Sequence, residues 1–161
     1  MATLTFEGIN EYAEKLSKMS NKAVGMIKRA VYDGAAAVLH EAIAQISALP
    51  IITDRYRVTE LPLRGVTATQ KAGLLAGIGL AKMTNANGFI NTKLGFSGYN
   101  GVRNGKYPNG QPNALIARAV NSGTSVRAKI PFVTRTVKAA EGPAITAMAA
   151  RFDADTQTNM R

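Results

Sequence analysis

Residues 20–50, SNKAVGMIKRAVYDGAAAVLHEAIAQISALP, decide the fold. Apolar side chains recur at Val24, Ile27, Val31, Ala35, Val38, Ala42, Ile46 and Leu49, in steps of three and four, which is the spacing of one helix face. The pattern predicts a helix over 21–49. Either Ser20 or Asn21 can cap it by accepting a backbone N–H. Pro50 stops it, because proline disfavours helical dihedrals in the residue before it and brings no N–H. Within the helix, Gly34-Ala35-Ala36-Ala37 leaves one flank thin, open to close approach by another backbone.

Upstream, Ile9, Tyr12, Ala13, Leu16 and Met19 make a second, shorter amphipathic helix over 7–19, with Glu11, Glu14, Lys15 and Lys18 opposite. Downstream, 51–66 mixes β-formers with arginines and prolines and reads as an exposed strand or ordered loop. Thr67 is placed to cap a short helix ending near Gly77. The period then changes to two. Ile78 and Leu80 alternate with Gly79 and Ala81, and Ile90, Thr92, Leu94 and Phe96 alternate with Asn91, Lys93 and Gly95. Strands 77–84 and 88–96 around the tip Asn85-Ala86-Asn87-Gly88 predict an antiparallel hairpin.

Residues 97–113, SGYNGVRNGKYPNGQPN, are dominated by turn-formers and predict a long loop unable to bury a face of its own. Asn113 is placed to cap a brief helix through Val120, with Gly123 as its stop. Residues 125–130 read as extended. Pro131 opens a closing helix whose apolar positions are Phe132, Val133, Val137, Ala140, Ile145, Met148 and Phe152, with a bend at Gly142-Pro143. The polar tail over 155–161 is expected to fray. The fold class is therefore α+β. A long N-terminal helix and a C-terminal helix pack on a small antiparallel sheet from which an extended loop projects, all in one domain over 1–161.

Composition narrows the function. With 46% apolar and 19% charged residues the chain carries enough apolar surface to fold and too little charge for disorder. No apolar run reaches the length that spans a bilayer, so no membrane partner is expected. With no cysteine and a single histidine, thiol chemistry, disulfides and histidine- or thiolate-rich metal sites are excluded. His40 lies on the long helix without a nucleophile elbow. The glycines at 73, 77 and 79 miss both phosphate-loop patterns, because Ala81 precedes Lys82 and Lys82 stands where a third glycine belongs. Asp153 and Asp155 make no convincing acid/base pair. No catalytic residue, cofactor or metal is expected.

The net charge of +10 is segregated. Residues 61–140 hold eleven Lys or Arg and no Asp or Glu, so the whole excess lies in the middle of the chain. Such an imbalance points to an anionic partner, to long-range steering or to self-association balanced by a partner's charge, against the plain alternative of a solvated surface. Arg103 and Lys106 on the glycine- and asparagine-rich loop, and Arg127 and Lys129 alternating on the extended segment, are the candidate contact residues. One reading is a small basic nucleic-acid-binding protein acting alone. Against it, the basic residues lack the interleaved aromatics of single-strand binders.

The order of motifs FEGINEYAEKL, YDGAAAVLHEAIAQISALP, KAGLLAGIGLAKM, GFINTKLGF, ALIARAVNSGTS and IPFVTRTVKAA resembles that of the tailed-phage neck and tail-completion family, which includes proteins like the minor tail protein Z of lambdoid phages. The resemblance implies a structural virion protein, made in the host cytoplasm, that forms a ring, usually sixfold, at the head-proximal end of the tail. It would act as tail terminator, completion or head-tail joining protein. The implied partners are further copies of the chain, the tail tube protein, the head-tail connector or stopper, and DNA in the channel, contacted without sequence reading.

Overall fold

The computed structural model describes residues 9–52, 61–87 and 89–160. Their elements, in order, are α1 (Ile9–Ser47), α2 (Ala68–Gly77), β1 (Ile78–Leu80), β2 (Thr84–Ala86), β3 (Phe89–Asn91), β4 (Leu94–Phe96), α3 (Asn113–Ser122) and α4 (Phe132–Met160). The fold is α+β, with the two long helices at its ends.

The two helices expected over 7–19 and 21–49 are one, α1, running unbroken through Ser20 and Asn21. Each of those residues costs only about 0.5 kcal/mol of helix propensity, too little to break a helix held by tertiary packing. At its other end α1 stops as Pro50 requires, and the Lys71 ammonium donates to the carbonyls of Ser47 and Leu49, the latter at 3.0 Å. Cations are favoured there, because the last carbonyls of a helix are unpaired and partly negative. One of the eleven basic residues of the middle segment is thereby a helix cap.

α4 packs chiefly along α1. Its seam is made largely of small residues: Thr136, Ala140 and Ala144 of α4, four apart, are buried, as are Met26, Ala30 and Gly34 of α1, with Met26 beside Asn159 and Gly34 beside Ala144 and Met148. A Cβ on Gly34 would lie 3.2 Å from the Ala144 carbonyl oxygen and 2.5 Å from Met148 Cγ. The thin flank read from the sequence is therefore the contact itself. This corrects two expectations. Val24 and Ile27 are exposed and Val31 half-buried, although they continue the stripe that buries Ala42, Ile46 and Leu49. Likewise Val133, Val137, Ile145 and Phe152 of α4 face solvent. Close backbone approach over glycine and alanine outweighs use of the larger side chains, which a helix pair crossing at one edge of the stripe leaves uncovered. α4 is a single helix carrying Gly142 and Pro143 inside it, and it continues to Met160 where fraying was expected. Pairing with α1 reaches that far, since Lys22 Nζ donates to Asn159 Oδ1 at 2.9 Å.

The central residues close the other end of this pair. Ile46, Leu49, Val66, Leu74, Ile116, Val120 and Phe132 form the core, drawn from all four helices and the 61–66 segment. Phe96 of β4 meets Phe132 edge to face at 6.2 Å. The strands touch α1 through β1 and β3 and the start of α4 through Phe96, so both long helices pack on the small antiparallel sheet as expected, at this end of the pair. Thr67 caps α2 as read: its hydroxyl accepts from Gln70 N–H at 3.1 Å, and Gln70 Oε1 accepts from Thr67 N–H at 3.2 Å. The hairpin is present in two ladders, β1 with β4 and β2 with β3, both antiparallel. Ala86 faces Phe89, so the turn is narrower than the four-residue tip expected, and Asn87 adopts φ 52° within it.

Two further readings are corrected. The stretch 97–113 is tied down: Asn100 N–H donates to Gln111 O at 2.9 Å, Gln111 N–H donates to Val102 O at 3.0 Å, and Asn100, Val102 and Gly110 are buried. Pairing across the loop satisfies its backbone and lets one valine enter the interior. Asn113 is the first residue of α3 and does not cap it. Pro112 precedes the helix, and the Asn113 amide donates to Ser97 O at 2.8 Å. Gly123 stops α3 as read, with φ 78°. Of the 51–66 stretch, 53–60 lie outside the described residues; Ile51 bridges Val66, and Leu63 bridges Arg127.

Candidate functional site

The four basic residues singled out by the sequence separate into three environments. Arg103 and Lys106 are exposed at the tip of the 97–113 loop, where Asn104 and Tyr107 exchange backbone hydrogen bonds of 3.2 and 3.0 Å. Lys106 Nζ lies 5.7 Å from the centroid of the Tyr107 ring, a cation–π distance that steadies the side chain while leaving its charge in solvent. Lys129 is exposed elsewhere, on the wall of a depression of about 370 Å³. Arg64 and Arg135 line the same depression, brought there by the 61–66 segment and the first turn of α4. All three cations are exposed, and among the described residues none is ion-paired. Sequence reading missed this grouping, because Arg64 is remote along the chain and only the bridge between Leu63 and Arg127 brings it to Lys129.

Arg127 is a correction. Only 9% of its surface is exposed, and its guanidinium donates to the carbonyl of Gly65 and, at 3.2 Å, to Gln70 Oε1. Burial lowers its pKa from the ordinary value. The alternation that put Arg127 and Lys129 on one side fails because residues 124–127 form a turn, closed by Thr124 N–H donating to Arg127 O at 2.8 Å. Arg127 serves as an internal tie. Gln70, whose amide donates to Gln111 Oε1 at 2.9 Å, extends it from the 61–66 segment through α2 to the loop. Arg127→Met strands the Gly65 carbonyl and takes one donor from Gln70. At about 1–3 kcal/mol per unpaired buried acceptor, a loss of roughly 2–4 kcal/mol is expected in urea unfolding.

The pair α1/α4 has two unlike flanks. Along one, Arg29 Nε lies 2.8 Å from Asp155 Oδ2 and Arg151 Nε lies 3.8 Å from Asp33 Oδ2, next to the Lys22–Asn159 bond. Helical spacing puts Val24, Ile27 and Val31 of α1 and Val137, Ile145 and Phe152 of α4 on the opposite flank, since in an antiparallel pair positions displaced in the same angular sense from the seam fall on one side. That flank carries no cross-helix ion pair among the described residues. At its upper end it widens into a groove of about 180 Å³ walled by α1, the hairpin and α4.

His40 is exposed on α1. Among the described residues no three His, Cys, Asp or Glu side chains come together, and no helix is long and apolar enough to cross a membrane. What the surface offers chemically is positive charge for anions and apolar area for another protein. No family model, curated protein or solved structure matches this chain.

Proposed function

We propose that the chain is a non-enzymatic assembly subunit of a tailed-phage virion, repeated as a ring, sixfold in this reading, at the head-proximal end of the tail. The observation that carries it is the uncovered apolar flank of α1/α4. An isolated protein gains nothing from leaving valine, isoleucine and phenylalanine in water when the opposite flank is sealed by ion pairs, whereas an assembling subunit buries them against a neighbour. The motif order that resembles the neck and tail-completion family supplies the setting. The tail tube, the connector or stopper and the DNA of the channel are the remaining partners.

The basic surface fits that setting. A ring repeats each exposed cation around its axis, so Arg103, Lys106 and Lys129, joined by Arg64 and Arg135, make a positive collar for phosphates or for an acidic neighbour. The mutant that tests it leaves Arg127 alone. R103Q/K106Q/K129Q is expected to fold normally, each exposed change costing within about 0.5 kcal/mol, and to weaken tail docking or retention of packaged DNA. Wild-type infectivity of that mutant with stable, filled particles would return these cations to plain solvated surface.

The proposal as a whole is tested by quantitative mass spectrometry of virions and negative-stain imaging of the tail end. Several copies per particle arranged as a ring are expected. A single copy, or none, sinks it. Salt-dependent DNA binding by a persistently monomeric, non-virion protein would favour the rival reading of a lone nucleic-acid-binding protein.

A further inference from the structure

We propose that Phe89 of one copy seats in the groove between α1, the hairpin and α4 of the next copy, so that the subunits join head to tail. Phe89 stands at the hairpin turn with 78% of its surface exposed, more than any other exposed large apolar residue of the described chain. The groove, walled by Val38, Ala42, Leu94, Phe96, Val133 and Val137, offers about 180 Å³. An apolar cavity of roughly 150 Å³ already accommodates benzene. Thr136 is the one polar side chain in its lining, and its hydroxyl is occupied, donating to the Phe132 carbonyl at 2.9 Å. No free polar group is left to recognise a polar occupant.

The occupant cannot be the subunit's own Phe89. Along β3 and β4 exposure alternates, with Ile90, Leu94 and Phe96 toward the protein and Phe89, Lys93 and Gly95 away from it. Leu94 and Phe96 wall the groove, so Phe89 points the other way. Charge selects a second copy in a stated orientation. The hairpin carries Lys82 and Lys93 and no carboxylate, and Lys93 shares the outer face with Phe89. The α4 wall continues in steps of four as Val133, Val137, Glu141, Ile145, and among the described residues Glu141 makes no ion pair. A hairpin laid on that wall brings lysine to Glu141 while the ring of Phe89 enters the groove, which offsets part of the repulsion between two chains of charge +10.

Tip and groove are different patches of one surface, so the contact is heterologous and propagates until it closes. One aromatic side chain buries only about 150–250 Å², well below the roughly 1,000 Å² of a stable interface. The contact therefore holds as part of a closed ring, in which each copy gives one hairpin and takes another. In this respect the inference rests on the ring reading.

Because the chain has no cysteine, Phe89→Cys and Val137→Cys can be made singly and mixed under mild oxidation. Disulfide dimers are expected from the mixture, at least roughly ten-fold over either variant alone, the signature of two unlike patches meeting. Phe89→Asp should keep its circular dichroism spectrum and lose self-association. Glu141→Lys should weaken self-association about ten-fold, with Lys93→Glu restoring it in the double variant. Dimers dominated by the Phe89→Cys variant alone would overturn the contact, as would wild-type protein that does not associate at millimolar concentration together with a mixture of the two variants that gives no disulfide dimer. Rings that persist in Phe89→Asp would also overturn it while leaving the ring reading standing. The copy number per virion judges that reading independently. Trapping of Phe89 by a different virion protein, and not by a second copy, also counts against the proposal.

Discussion

Ile46→Asp is expected to abolish the cooperative unfolding transition, while Val31→Asp, on the same sequence stripe, keeps it. Ile46 has no exposed surface and sits among Leu49, Val66, Leu74 and Phe132. A carboxylate there either stays ionised without a partner or takes up a proton at a cost of some 3–5 pKa units, about 4–7 kcal/mol. Loss of the isoleucine adds about 2–5 kcal/mol. The sum matches the entire stability of an ordinary domain, roughly 5–15 kcal/mol, so the variant should lack a folded baseline in circular dichroism. Val31 is half-buried on the uncovered flank, where a carboxylate can reach water. If Val31→Asp were the variant that unfolds and Ile46→Asp the one that survives, the buried face of α1 would be the wrong one.

Phe132→Ala is the second large effect. Phe132 is 2% exposed, holds the start of α4 against the core and meets Phe96 edge to face. Removing it costs the transfer of the ring and leaves a cavity, together about 3–5 kcal/mol. For a chain of this length that lowers the melting temperature by roughly 6–20 °C. Phe132→Leu, which keeps most of the volume, should lose distinctly less. Equal losses in both variants would mean that the aromatic contact, and not the filled space, carries the stability.

Local chemistry was legible in the sequence. Pro50, the Thr67 cap, Gly123 and the alternation through Leu94 and Phe96 each act within a few residues, and each does in the structure what its type dictates. What escaped depends on partners far along the chain. The stripe of α1 is a property of one helix, but which edge of it is buried depends on where α4 crosses. Gly34 signalled a close approach without naming the helix that makes it. Arg127 shows the same limit for the site. By spacing it belongs with Lys129; by tertiary pairing with Leu63 it belongs inside. The group Arg64, Lys129 and Arg135 was invisible for the converse reason, since nothing local joins its members.

The antiparallel seam of α1 and α4 also orders events in time. The two helices lie at opposite ends of the described chain, and bonds such as that from Lys22 to Asn159 join residues far apart in sequence. At about 5–20 residues per second, roughly 4–17 s pass between synthesis of the end of α1 and the start of α4. Through that interval the face of α1 that α4 covers has no partner, and its apolar side chains are open to any other surface. Contacts of such long range also slow folding after release, because loop closure comes before the reward. Nascent chains are therefore expected to engage chaperones until α4 emerges, and a chain cut short before residue 132 should aggregate where the full chain stays in solution.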